Sequence, residues 1–235
     1  LHPIYIPDLD EELDRGILRR RKTVVKESRR AKVRIRQLLL FHGITEPEEL
    51  KHWTRAGREV LREQKMDSRV RIALEGLLRD LEHFENEERI IQKEIREMAK
   101  SERYAEKEAL LETIPGVGLI TAMNFLTEFL RPEQFTRREQ VGKMLGLAPR
   151  VRSSGMKRKE MGRIRSGKAY LRSILVEAAW KWIAQDEWAN AKYRKLMRNT
   201  GEKKKAIVGM ARKLAIIMWR MLLTGRPYRP LEATV

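Results

Sequence analysis

Apolar residues recur at alternating three- and four-residue steps through two long stretches of this chain, and that period belongs to helices. Between 9 and 42, Leu13, Ile17, Val24, Ala31, Ile35 and Leu38 fall on one seam, interrupted by Arg20 and Ser28. Asp8 or Asp10, just after Pro7, can cap the start, and Gly43 marks the end. A second helix is predicted over 68–110. There Val70, Leu74, Leu77, Leu81, Phe84, Ile91, Ile95 and Met98 keep the spacing, with only Glu88 off pattern. Residues 43–67 read as a connector of shorter pieces, in which Thr45, Pro47 and Glu48 suit a capped helix start. The two seams predict an antiparallel coiled-coil hairpin, or the same seams paired between chains in a homo-oligomer; heptads alone do not choose.

From 111 onward the pattern breaks into shorter helices. One is expected over 165–185 with Leu171, Leu175, Ala178, Ala179 and Ile183 inward. A piece follows at 187–198, then a break at Thr200 and Gly201. A last helix over 203–223 carries Ile207, Leu214, Ile217, Met218 and Met221, and Gly209 suits a close helix contact. The Pro-containing end, 224–235, is expected to pack loosely. Trp180, Trp182, Trp188, Tyr193 and Trp219 sit among apolar neighbours and read as core. The fold class is therefore all-α: a coiled-coil helical hairpin over 1–110, then a small helical domain over 111–230 containing a helix-hairpin-helix, then a tail at 231–235.

Charge changes the picture. The net charge is +18, yet residues 1–130 hold 25 basic and 25 acidic residues and sum to zero. Residues 131–235 hold 26 basic and 8 acidic residues and carry the whole surplus. A surplus confined to one part of a chain is an electrostatic footprint for a polyanion. Residues 15–36 are also basic, with Glu27 the only acid; they can pair with the acidic second helix or touch RNA, and the sequence does not choose. With no Cys there is no disulfide or thiolate metal site, and His2, His42, His52 and His83 lack an H-x-x-x-H spacing. No apolar run approaches the ~20 residues of a membrane span and the opening does not read as a signal peptide. The expectation is a cytoplasmic, nucleoid-associated protein with no membrane partner. The first residue is Leu, which reads as a processed product or an excerpt.

Two constellations carry candidate chemistry. Ile114-Pro-Gly-Val-Gly118 lies between helical stretches, where Gly116 and Gly118 permit a tight turn. Their bare backbone, with Thr121 just beyond, lets N–H groups at a helix start approach phosphate, while Val117 plugs the helix pair. The bland alternative is an ordinary turn between packed helices. The second is an extended, strand-like or loop segment from Gly146 to Arg172. Arg150, Arg152, Lys157, Arg158, Lys159, Arg163, Arg165, Lys168 and Arg172 crowd it, around Ser153-Ser154-Gly155. A hydroxyl attacks a phosphodiester only when it loses its proton and the charge developing on phosphorus is neutralised. Guanidinium groups suit the second task because they fork onto phosphate oxygens. On local pattern alone, a serine in a Gly-rich loop is as well a turn residue.

The ordered set Ile114-Pro-Gly-Val-Gly118, Gly146-Leu-Ala-Pro149, Ser154-Gly155, Gly162-Arg-Ile164 with Gly167, Leu171-Arg172, Ala178-Ala179 and Ala211-Arg-Lys213 resembles the C-terminal domain of the IS110/IS116/IS902 insertion-sequence transposases, related to the pilin-gene invertases. Tyr5-Ile-Pro7 and Leu38-Leu-Leu-Phe-His-Gly43 resemble the coiled-coil segment of the same proteins. The resemblance implies a bridge-RNA-guided serine recombinase whose separate N-terminal RuvC-like domain carries a DEDD carboxylate cluster. It implies Ser154 as the nucleophile, with Ser153 the fallback, and DNA and a guide RNA as partners. It implies no cofactor in this chain, Mg²⁺ being expected only with the RuvC-like domain, to which nothing here corresponds. The rival is a non-enzymatic helix-hairpin-helix DNA-binding module with coiled-coil dimerisation. A third reading is a structural adaptor.

Overall fold

The computed structural model describes residues 7–129, 131–147, 150–154, 157–161 and 168–230; for the fourth and third of these short stretches, 157–161 and 150–154, it gives the course and pairing of the backbone. The helices are α1 (Leu9–Phe41), α2 (Arg55–Glu63), α3 (Ser68–Ala99), α4 (Ala105–Glu112), α5 (Leu119–Glu128), α6 (Arg138–Met144), α7 (Ala169–Gln185), α8 (Glu187–Thr200) and α9 (Lys203–Thr224). Between α6 and α7 stand two strands, β1 (Arg150–Ser154) and β2 (Lys157–Met161). The all-α class holds, and the extended basic segment takes the form of this two-stranded ribbon. The chain divides into two compact units, one of residues 16–94 and one of residues 1–15 with 95–235.

In the 16–94 unit, α1 and α3 run antiparallel around a core of Ala31, Ile35, Leu39, Leu50, Trp53, Leu61, Leu74, Leu78 and Leu81. The buried face of α1 is Leu18, Val24, Ser28, Ala31, Ile35 and Leu39, one position off the expected seam at both ends. Ser28 thus lies inside the seam. On α3, Leu78 is fully buried where Leu77 was expected. The basic helix is matched to the acidic one: Arg20 to Glu87 at 3.4 Å, Arg21 to Glu88 at 2.8 Å and Lys32 to Glu85 at 3.1 Å. Each buried Leu or Ile contributes about 1.5–3 kcal/mol, against about 0–1 kcal/mol for a part-exposed ion pair. The apolar seam therefore holds the hairpin and the ion pairs favour its register. In the connector, Glu48–His52 is a 3-10 turn whose N-cap, Pro47, makes no side-chain cap, so the Thr45 start is not formed. Thr54 caps α2 instead, accepting from the Gly57 N–H at 3.2 Å. Trp53 ends the 3-10 turn in a left-handed conformation with φ 55°. Its carbonyl accepts from Arg58, which also reaches Glu85 at 2.7 Å.

The other unit holds the start of α1, capped as expected by Asp8, whose carboxylate accepts from the Glu11 N–H at 2.8 Å while Glu11 accepts from the Asp8 N–H at 2.9 Å. The second predicted helix does not run to 110. It breaks over 100–104 without Gly or Pro, and Ser101 there donates to the Met98 carbonyl at 2.7 Å. Tyr104 is buried and its hydroxyl donates to Asp14 at 2.7 Å. The core gathers Phe125, stacked on Phe129 at 4.2 Å, with Leu175, Trp182, Met210, Leu214 and Met218. Gly209 does permit close contact, with Leu196 of α8 against it. Trp182 and Trp219 are core residues, but Trp180 is 43% exposed and meets Tyr193 at the surface edge to face. The described part of the C-terminal tail is fixed rather than loose. Tyr228 accepts from Trp182 Nε1 at 3.2 Å, donates to Asp186 at 2.9 Å, and its N–H donates to Thr113 at 3.0 Å. Asp186 is buried and also caps α8 through the Ala189 N–H at 2.7 Å. Burial, with Asp186 holding its proton, pushes the Tyr228 hydroxyl up to about 12.

Candidate nucleic-acid interface

The ribbon pairs antiparallel, with Arg150 opposite Met161, Val151 opposite Glu160, Arg152 opposite Lys159, Ser153 opposite Arg158 and Ser154 opposite Lys157. Opposed residues share a face, and faces alternate along a strand. One face therefore carries the positions of Arg150, Arg152, Ser154, Lys157, Lys159 and Met161. The other carries Val151, Ser153, Arg158 and Glu160. The two serines are thus in different register environments. Ser154 stands opposite Lys157, two residues from Arg152 and diagonal to Lys159. Ser153 stands opposite Arg158, with Val151 and Glu160 as its other neighbours. Arg163, Arg165 and the glycines at 155, 162 and 167 lie outside the described residues.

Lys168 and Arg172 sit where the chain returns from the ribbon into α7, and both have partners within the fold. Lys168 forms an ion pair with Glu128, and its backbone N–H donates to the Met144 carbonyl at 3.4 Å. Arg172 donates to the Gly146 carbonyl at 3.4 Å. Gly146 and Met144 lie just before β1, so these contacts tie the return of the ribbon to its departure. Glu128 also lies 3.9 Å from Arg15, whose Nε donates to the Thr127 carbonyl at 2.7 Å. The sequence offered Lys168 and Arg172 as phosphate ligands; the structure also gives them an anchoring task.

The Ile114–Gly118 turn separates its two glycines. Ile114 and Val117 are buried, and the Val117 N–H donates to the Ile114 carbonyl at 3.0 Å. Gly116 has φ +85°, and a Cβ there would come within 2.7 Å of Trp182 N and Lys181 Cβ. Its missing side chain is therefore used against the backbone of α7. Gly118 is exposed, with extended backbone at φ −119° and ψ 179°, and a Cβ there would meet nothing within 4 Å. It caps α5, and its carbonyl accepts from the N–H groups of Thr121 and Ala122 at 2.8 and 3.0 Å. Of the pair, Gly118 alone leaves open backbone at a helix start. Residues Ala122–Thr127 of α5 are buried, so the approachable part of that helix is its first turn.

The sequence did not single out Arg138, Lys192, Arg212 and Lys213 as one group, because they come from three separate helices. Among the described residues no group of three or more His, Asp or Glu side chains is placed to hold a metal ion. Among the same residues no helix is long and apolar enough to cross a membrane.

Residues 108–194 match the family described as Transposase IS116/IS110/IS902 family. The chain is similar to "Putative transposase y4qE" of Sinorhizobium fredii, with 26% identity over 96% of this chain and 61% of that protein. It is similar to "Putative transposase y4rJ" of the same organism, with 28% identity over 94% of this chain and 60% of that protein. It is also 28% identical to the transposase for insertion sequence element IS1111A of Coxiella burnetii, over 59% of this chain and 38% of that protein. The chain thus spans about three fifths or less of the length of these relatives.

Proposed function

We propose, since residues 108–194 match the IS116/IS110/IS902 transposase family and the chain is similar to its transposases, that it serves DNA transposition by gripping DNA on the β1–β2 ribbon and offering Ser154 as nucleophile. The observation that carries this reading is the ribbon's register. Arg152 lies opposite Lys159, and like charges directly opposite destabilise a ribbon by about 0.2–1 kcal/mol. A polyanion laid along that face converts the repulsion into binding. The same register favours Ser154 over Ser153, because its three nearest register neighbours are all cationic.

In the proposed reaction Ser154 Oγ loses its proton and bonds to the scissile phosphorus. The bond from phosphorus to the leaving sugar oxygen breaks, and that oxygen takes up a proton. Attack of a second strand's hydroxyl on the phosphoserine then restores the serine and joins the exchanged strand. The bond count is conserved, so no energy-supplying cofactor is required. Arg150, Arg152, Lys157 and Lys159 would neutralise the developing charge, while Lys168 and Arg172 hold the ribbon's base. We further read the turn at Ile114–Gly118 as a helix-hairpin-helix that meets phosphate at Gly118, and α1 with α3 as a coiled coil. The exposed Leu40, Phe41 and Ile72 at the hairpin's tip support assembly with a second copy. Guide RNA is the expected partner of the whole enzyme.

The test uses the whole enzyme with its guide RNA and target DNA. A covalent protein–DNA adduct should form, survive Ser153→Ala and vanish with Ser154→Ala. An adduct that persists in both variants refutes the assignment. A second reading, a DNA-binding module without a cutting step, rests on the same cationic register of the ribbon. That reading predicts salt-sensitive binding with no adduct.

A further inference from the structure

The α6, α8 and α9 helices bring together a second group of cations, away from the ribbon strands in sequence. Only two residues, Gly201 and Glu202, separate the end of α8 at Thr200 from the start of α9 at Lys203, so the two helices pack antiparallel. Gly209 of α9 makes the contact close: a Cβ there would come within 3.2 Å of Leu196. Lys192 lies one helical turn before Leu196, and Lys213 lies one turn after Gly209. Antiparallel packing therefore sets Lys192 beside Lys213. On the other flank Arg212 lies over Gly142 of α6, where a Cβ would come within 2.9 Å of its Nε. Arg138 lies one turn before Gly142 on the same helix. Three helices thus converge four cations.

Acidic relief at this cluster is slight. Glu139 is paired with Arg138 at 2.9 Å and feels Arg212. Lys213 is half-buried, and burial followed by Lys192, Arg138 and Arg212 lowers its proton affinity. The charges of Lys192, Arg138 and Arg212 that act on it share its sign. Such an arrangement costs folding stability unless an anion occupies it. The bland alternative, a solvated basic surface, leaves the half-burial of Lys213 without a reason.

We infer that Arg138, Lys192, Arg212 and Lys213 form a phosphodiester-binding site that holds the backbone of a DNA duplex. It is distinct from the ribbon and rests on the reading that the chain grips DNA. Arg212 supplies a fork for two phosphate oxygens, and the two lysines supply point charges on the adjacent phosphates.

The test is fluorescence anisotropy of the full chain with a 30-base-pair DNA duplex across a salt series, beside a duplex RNA of equal length. Lys192→Gln and Lys213→Gln are made singly, with Arg152→Gln/Lys159→Gln as the ribbon control. Each lost phosphate contact should lower the salt slope by about 0.9, or about eightfold in affinity at 0.1 M salt. Melting temperature should stay level or rise, because a like-charge contact is relieved. A slope unchanged in both lysine variants, with the ribbon control weakened, overturns this site and leaves the ribbon reading standing. A parent chain that ignores DNA even at low salt overturns both. A loss confined to RNA, with DNA binding intact, also overturns it. A drop in melting temperature matching the lost affinity shows that the lysines are structural.

Discussion

The two turn glycines should respond oppositely to the same methyl group. At Gly116 an alanine must hold φ +85°, which costs about 1–2 kcal/mol for an L side chain. Its Cβ would also press to 2.7 Å from Trp182 N and Lys181 Cβ. These atoms belong to the body of α7 and cannot swing aside as a side-chain tip would, so overpacking adds about 1–3 kcal/mol. The sum is about 3 kcal/mol, or roughly 6–12 °C in Tm for a chain of this size. At Gly118 the backbone is extended and the space is open, so Gly118→Ala loses only the difference between Gly and Ala at an N-cap, under about 1 kcal/mol. Thermal melting followed by circular dichroism reads the first contrast. Anisotropy with duplex DNA reads the second: Gly118→Ala should weaken binding severalfold while it still melts near the parent. Equal Tm losses in the two variants would refute the division into a packing glycine and an open one. Unchanged DNA affinity in Gly118→Ala would remove the phosphate contact from this turn.

Three further outcomes follow from single contacts. Tyr228→Phe removes the hydroxyl shared by Trp182 and Asp186 and should cost about 1–3 kcal/mol, seen as a lower Tm with unchanged DNA affinity. Gly142→Ala gains helix propensity of about 1 kcal/mol but displaces Arg212, so DNA affinity should fall without a comparable loss of Tm. Burial and then Glu112 raise the Glu108 carboxyl from its ordinary 4.5 to about 7. The native state therefore keeps a proton that the unfolded chain has lost, and this contribution fades as pH rises through 7. Glu108→Gln should raise Tm relative to the parent at pH 8 and not at pH 4; equal gains at both values would exclude the carboxyl as the cause.

Local pattern revealed the helices and several of their ends, and the reason differs by element. Gly43, with φ +64°, and Asp8 act within one turn, so a short window contains all their physics. The break at Lys100–Tyr104 was hidden because its cause is distant: Tyr104 reaches Asp14, 90 residues away. The same holds for the tail, where Pro227 suggested a loose end and the Tyr228 hydroxyl on Asp186 fixes it. Seam positions shifted by one, from Leu38 to Leu39 on α1 and from Leu77 to Leu78 on α3. Both members of each pair are Leu, so hydrophobicity could not rank them. The ribbon was legible as extended and basic, but its strand register was not. That register is what distinguishes Ser154 from Ser153.

The placement of positive charge separates scaffolding from binding more sharply than its amount does. On α1, Arg20, Arg21 and Lys32 meet Glu87, Glu88 and Glu85, so much of the basic helix is matched inside its own unit. At the foot of the ribbon, Lys168 meets Glu128. On the ribbon itself Arg152 stands opposite Lys159 in register, and at Lys213 the charges of Lys192, Arg138 and Arg212 are of its own sign. A fold selected for stability alone would interleave acids at these last two places, as it does along α1 and α3, because each like-charge contact weakens the native state. Their persistence in the part of the chain that carries the whole +18 is the cost expected of surfaces whose missing negative charge arrives with a nucleic acid.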